Sequence, residues 1–591
     1  MVGRRAISMT FAAIAALATA APAALAAPAG LPDREADPVV LVGADVPQLE
    51  GADPGSVVAF EWEGEWRQIP VQVDERAVVD YPTVRQNHQT SGRPFTHEAY
   101  TDAGTFAGAD PDPTLDDGDE IALMAKDAGL DATDVGSPAG VVPSTRTQVA
   151  VSDPLDPGVE RFVYLFETDS GLDPAAGRTY VDYDFKLDSG DYKTTYSFSG
   201  VPGGDSGNPT GGPGNPEDST VDTGYYHQHI GSRWIHDGLQ VKGGTGVDIL
   251  DGDKDQVSYG CGRSELTFSR GGGGFIANRS GPVRAIRSYI GANSGTYTQQ
   301  DRIYYERSEV THTDLRVHPG INVISQFLDY SPAASGMTYR SSADPAGVTI
   351  DGVPDPALET GNSLGPPVQW EQVTGPQGTL SIVNRYTTDI SGLALGSYYQ
   401  DDSTSPTTQQ CGGYADDQAW GASGSVISMP AVSGGINTDP TLGTAYSFAG
   451  TRTIFYGTGG DAALAALRSE QVDSPLTVAA SAQREPVPPK LKLHAASKRV
   501  RPGGSVRIPV RVENTGGTAA TGLEICGRVP KSLARTGPCK QAKSVAAGGT
   551  FRTKVKVSAK RRARGRIQVT YRATADNAPG ARIQAKVAIR R

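Results

Sequence analysis

Apolar residues along this chain recur at alternate positions over short runs, and almost nowhere at the three-and-four spacing of an amphipathic helix. Val39–Val42, Val57–Trp62, Trp66–Val73, Glu120–Ala125 and Phe162–Thr168 are such runs. Thr195–Phe198, Leu266–Phe268, Val283–Ile290, Arg302–Tyr305, Ile321–Leu328, Thr379–Val383 and Thr453–Tyr456 continue the pattern. Alternation turns one face of an extended chain toward a core and the other toward water. The 72 Gly and 41 Pro punctuate the runs with turns. This pattern predicts an all-β protein, with one short helix at Asp461–Val472 as the exception.

At 591 residues the chain is long enough for roughly three or four domains. Gly and Pro fall short of low-complexity levels and show no Gly-X-Y period, which excludes a collagen-like or wholly disordered chain. Four Cys are too few for a disulfide-built scaffold. Residues 1–26 read as a secretory signal: Arg4 and Arg5 begin it, Ala6–Ala21 is apolar, and Ala24-Leu25-Ala26 is the small-residue cleavage site. A membrane anchor is the other reading, against which Pro22 and the Ala-rich end argue. The expectation is a secreted, extracellular protein, released or held at the cell surface without a covalent anchor, with no transmembrane segment after cleavage. In an oxidising compartment the Cys residues are expected to pair, Cys526 with Cys539 locally and Cys261 with Cys411 over a long range. Reactive or metal-binding thiols are the alternative.

Composition divides the chain further. Residues 33–185 and 186–485 are two acidic, strand-rich regions, the first an N-terminal β-rich domain and the second a large β-sandwich. Residues 486–489 form a Pro-rich linker, and residues 490–591 a small basic sandwich. Residues 487–591 hold 25 Lys and Arg against Glu513, Glu524 and Asp576, a net charge of +22. Residues 27–486 carry a net charge of −36, so the overall −12 conceals two oppositely charged parts. The segment Val510-Arg-Val-Glu-Asn514-Thr-Gly516, the Cys pair after it and Ala546–Thr550 resemble the immunoglobulin-like CARDB or DUF11-type repeats of secreted bacterial proteins. That resemblance implies an Ig-like spacer or adhesion module.

Three constellations bear on function. Asp110, Asp112, Asp116, Asp117, Asp119 and Glu120 crowd six carboxylates into eleven residues, a hard-oxygen set suited to calcium. A solvated acidic turn is the alternative. A second run, Asp248–Asp255, opens like a calcium loop but lacks the later Gly and Glu. His227 and His229 share one side of a strand, with Arg233, Trp234, His236 and Asp237 following, and form a candidate ligand or metal site. Arg284, Arg287, Tyr289, Tyr305, Arg316 and His318 concentrate Arg, Tyr and His within an acidic block. Arginine forks suit acidic sugars, Tyr rings stack on pyranoses, and Tyr or His removes a proton beside a carboxylate.

The Gly281-Pro-Val-Arg284 strand, leading into an Arg- and Tyr-rich one, resembles the large β-sandwiches of galactose-mutarotase-like and polysaccharide-lyase proteins. The resemblance implies architecture; no catalytic residue carries over. A G-x-S-x-G string at Ser363 is followed by Pro366-Pro367 where a nucleophile elbow needs a helix. No phosphate-binding or dinucleotide motif opens a helix, and an exported basic domain meets anionic envelope polymers before nucleic acid.

The leading expectation is a secreted protein engaging extracellular polysaccharide, with the basic domain as a tether to an anionic envelope polymer. A polysaccharide lyase and a purely structural matrix protein are its rivals. Docking of the basic domain onto the acidic regions is the alternative to tethering.

Overall fold

The computed structural model describes residues 31, 33–80, 96–193, 217–231, 234–258, 274–291, 298–317, 323–358, 365–388, 392–404, 418–428 and 446–590. The expectations at residues 1–26, Arg233, Cys261, Cys411, His318 and Ser363 lie outside these, as does the side chain of Arg316. The architecture is all-β and multidomain. Among the described residues the one α-helix is Ala462–Asp473. Asp461 caps it by accepting hydrogen bonds from the amides of Ala463 and Leu464. No helix among them is long and apolar enough to cross a membrane.

The N-terminal region packs a three-stranded sheet (Pro38–Val42, Glu120–Met124, Gln72–Asp74) against a five-stranded one. The second sheet runs Thr477–Ala482, Thr147–Asp153, Asp156–Glu167, Val57–Trp62 and Trp66–Ile69. Its edge strand Thr477–Ala482 thus returns from beyond the whole central block. The predicted run Trp66–Val73 breaks in two, and its halves join different sheets. Pro70 lies at the break, where it has no amide to donate to a ladder.

In the central region a nine-stranded antiparallel sheet extends from Gly274–Ser280 to Val348–Thr349. Two four-stranded sheets share its core, one of strands between Val181 and Val241 and one of strands between Leu250 and Ser428. Tyr226 meets Tyr456 across this core with ring centroids 4.2 Å apart. The two regions are joined by the strand Glu120–Met124. Its Ile121 and Leu123 enter the N-terminal core, while Ala122 and Met124 enter the central one.

The C-terminal region is a two-sheet sandwich with its own core, built on Ile508, Val510, Val512, Val555, Val557, Ile567, Val569 and Tyr571. Alternation is strict: these residues are buried and their neighbours along each strand face outward. Cys526 and Cys539 form the expected local disulfide. Asn514 is wholly buried and ties the turns together. Its Nδ2 donates to the carbonyls of Thr518 (2.6 Å) and Val545 (3.1 Å), and its Oδ1 accepts from the amides of Lys490 (3.1 Å) and Gly516 (3.0 Å). Asn514→Ala leaves these backbone groups unpaired at roughly 1–3 kcal/mol each where water cannot reach them. Differential scanning calorimetry of the variant should show a loss of about 2–4 kcal/mol confined to the transition of this sandwich.

Candidate functional site

The central side chain of the seam between the two acidic regions is Arg284. It is fully buried at the start of the strand Ala285–Gly291. Its Nε donates to Asp74 Oδ2 and its Nη2 to Glu120 Oε2, both at 2.8 Å, and its Nη1 to the Tyr305 hydroxyl at 3.2 Å. Gln72 accepts from the Arg284 amide through Oε1 (3.1 Å) and donates to Asp74 through Nε2 (2.9 Å). Gly281 permits this approach, because a Cβ there would stand 2.1 Å from Gln72 Oε1.

A pocket of about 370 Å³ opens beside this network, lined among others by Arg76, Tyr100, Glu120, Asp301, Tyr305 and His312. Tyr100 donates to Glu120 Oε2 at 2.8 Å and Arg76 to Glu120 Oε1 at 3.2 Å. Burial alone would push the Glu120 carboxyl up; Arg284, Tyr100 and Arg76 outweigh it and hold the group below its ordinary value. Burial pushes Tyr305 up, and Arg284, which donates to its hydroxyl, only partly opposes that, so Tyr305 keeps its proton and is no base near neutrality. Asp301 is also raised by burial, although Ser288 and Gln299 donate to it.

The structure separates the residues that sequence reasoning grouped. Of the candidates, Arg284 and Tyr305 line the pocket. Arg287 is buried in a two-pronged pair with Glu217, at 2.6 and 2.9 Å. Neither arginine is free to neutralise a sugar carboxylate. Trp234 and Tyr289, both candidates for a ligand site, are buried and pack with Phe275.

His227 and His229 do share one side of the strand Tyr226–Ile230. Each is matched to carboxylates: His227 Nδ1 to Asp222 at 3.1 Å, and His229 to Asp237 at 2.6 Å and Asp218 at 3.2 Å. Burial works against a charged His229 ring, but Asp237 and Asp218 outweigh it and raise its pKa. The imidazolium form thereby favoured is a poor metal ligand. His236 lies in the interior, and burial there lowers its pKa.

The six carboxylates of the acidic loop divide by role. Glu120 joins the Arg284 network, while Asp112 and Asp116 accept hydrogen bonds within the loop and Asp117 is exposed. Asp110 and Asp119 accept from the amides of Asp112 and Asp116 and also converge on Glu75, which the sequence did not single out: one oxygen from each lies within 4.8 Å of the others. Burial, with Asp119 and Asp110 alongside, pushes the Glu75 carboxyl up to about 7. The second acidic run forms no loop, since it lies largely in the strand Leu250–Ser258. Asp253 points inward there to a pair of arginines, Arg452 (3.0 Å) and Arg302 (2.6 Å).

The basic sandwich presents a different kind of surface. On the outward face of its four-stranded sheet, Arg507 stands opposite Lys556 and Arg511 opposite Arg552. Lys554, Lys492 and Arg535 are exposed on the same sheet, whose one acidic partner on these strands is Glu513, 3.5 Å from Arg511. A shallow groove crosses this face between His494, Arg511, Arg552 and Lys554.

No family model matches the chain, and no curated protein matches it. Among solved structures, a protein from Synechocystis sp. PCC 6803 aligns at 9% identity and a TM-score of 0.22, over 40% of this chain and 93% of that one. An alpha-mannosidase from Enterococcus faecalis V583 aligns at 9% identity and a TM-score of 0.33, over 85% of this chain and 51% of that one. The native form of E. coli alpha-2-macroglobulin aligns at 9% identity and a TM-score of 0.15, over 90% and 52%. The chain spans about half the length of the latter two proteins. Likeness at this level carries no functional argument.

Two outcomes follow from the interior groups. Arg284→Leu strands Asp74 as a buried charge without its cation, leaves Glu120 only Arg76, and should cost about 3–5 kcal/mol in chemical denaturation. An arginine serving only to bind ligand in an open cleft would cost far less. The second concerns Glu371, which is sealed in the core where Tyr339 donates to it at 2.9 Å; burial pushes its carboxyl from 4.5 up to about 7. Between those values the unfolded chain ionises first, so this group's contribution to stability is full below pH 4.5 and is lost as pH rises toward about 7. Glu371→Gln should therefore match the wild-type melting temperature near pH 4.5 and exceed it at pH 8.

Proposed function

We propose that the protein is an extracellular adhesion or matrix component that binds anionic polymer through the outward face of its C-terminal sandwich. The observation carrying this reading is the pair of like-charge rungs, Arg507 with Lys556 and Arg511 with Arg552. Cations directly opposite each other on a sheet destabilise it, so their presence is explained by a ligand that neutralises them. The groove between Arg511, Arg552 and Lys554 offers a linear polyanion a track across the strands. Wall polyphosphates and acidic polysaccharides have the required repeat of negative charge. The acidic regions then form the exposed body, consistent with an all-β structure that contains a disulfide. The lyase reading loses its main support, because Arg284 and Arg287 are already matched by buried carboxylates.

Binding of the full-length protein to polyphosphate and to heparin, measured across salt concentrations, tests the proposal. Affinity should fall steeply with salt, as screening and counterion release require. Replacing Arg507, Arg511, Arg552 and Lys556 by Gln should cut low-salt affinity at least tenfold and lower the log–log salt slope by roughly 0.7–0.9 per lost contact. The melting temperature should hold or rise, because the repulsion is relieved. Binding indifferent to salt or to these four changes sinks the reading.

A further inference from the structure

We propose that Glu75, Asp110 and Asp119 hold a calcium ion that clamps the acidic loop onto the N-terminal sheet. Glu75 is 8% exposed and Asp119 1% exposed. Neither carboxylate oxygen of Glu75 has a hydrogen-bond partner. An unpartnered carboxylate buried in this way is costly unless a cation meets it. Arg279 is the cation whose charge reaches it, yet it donates no hydrogen bond to either oxygen. Instead Glu75 faces two further carboxylates, with one oxygen from each of the three within 4.8 Å of the others.

The chain gives Glu75 no route to solvent. On one side Asp74 is bound in the Arg284 network; on the other the Arg76 amide donates to Asp119 Oδ1 at 2.8 Å. The Glu75 carbonyl accepts from the Thr101 amide at 3.0 Å. Three carboxylates are therefore fixed together by the fold itself. Oxygens about 2.3–2.6 Å from a central calcium lie up to roughly 5 Å apart, and the three here, all within 4.8 Å of one another, fall inside that limit. Magnesium, which demands a tighter octahedron and keeps its waters, fits this set less well.

The position gives the ion a structural task. The loop between Thr101 and Asp119 docks on the strand Gly274–Ser280, where the Asn278 amide donates to Asp102 at 3.0 Å and Thr105 donates to the Ile276 carbonyl. A cation joining Asp110 to Glu75 and Asp119 closes that loop onto the N-terminal sheet at the same time. Of the six carboxylates in the loop motif, only Asp110 and Asp119 take part.

The test uses full-length protein stripped with a chelator, titrated with calcium chloride by calorimetry and followed by thermal melting. One saturable site is expected, with a melting temperature that rises as calcium is added. Glu75→Gln and Asp110→Asn should each weaken binding at least tenfold, whereas Asp117→Asn, on the same loop but exposed, should leave it unchanged. Without calcium, Glu75→Gln should melt above the wild type, since it removes a buried uncompensated charge; with saturating calcium the order should reverse. Absence of saturable binding to the wild type overturns the proposal. So does equal weakening by Glu75→Gln and Asp117→Asn, which would indicate only a diffuse attraction of cations to the loop.

Discussion

The buried ion network centred on Arg284 is the constraint on which the arrangement of the acidic regions depends. Asp74 and Glu120 belong to the N-terminal sheet, and Arg284 and Tyr305 to the central region. Neither side can bury its charges alone at acceptable cost, because an isolated ion in a dry core is destabilising by several kcal/mol. The apolar contacts around the network follow the same logic. Glu120–Met124 sends alternate side chains into two cores, and the seam between them holds buried ion pairs besides the Arg284 cluster, Arg307 with Asp37 and Lys126 with Glu306.

Much of the fold was legible in the sequence, since alternation and turn residues report local geometry directly. Val57–Trp62 and the strands of the basic sandwich read clearly, as did the helix that Asp461 caps. The split of Trp66–Val73 at Pro70 could have been read from the proline itself. The site was legible only as residue types. Alternation shows which side chains share a face but not which face is buried, and strands such as Gly378–Thr388 are buried on both faces for most of their length. The partners that define Arg284 lie 210 and 164 positions away, and that of Arg287 lies 70 positions away. No local pattern reports pairings at that distance. Glu75 escaped notice for the same reason: in sequence it is one acidic residue in a strand-rich stretch, and its significance comes from Asp110 and Asp119 folding back onto it.

The charge segregation seen in composition has a structural counterpart. In the acidic regions, arginines are drawn inward and matched: Arg287 with Glu217, and Arg302 and Arg452 with Asp253. In the basic sandwich the core is apolar apart from Asn514 and a few hydroxyls, and the cations stay outside, some directly opposite one another. One part of the molecule thus uses arginine as an internal crosslink, while the other displays it at the surface, with Glu513 beside Arg511 as the carboxylate on those strands.

The returning strand Thr477–Ala482 also determines how the molecule bears load. It pairs antiparallel with Thr147–Asp153 at the edge of the N-terminal sheet, a few residues before the basic sandwich begins. Tension applied through that sandwich would first load the contacts of Glu485 with Ser137 and of Gln483 with Arg146, then this edge pairing, all of them in the N-terminal region. The central sandwich, enclosed between Asp156–Glu167 and the returning strand in sequence, stands outside that path. A pull that strips the edge strand would uncover the apolar row of Leu476, Val478 and Ala480, which packs on the N-terminal core rather than on the larger central one.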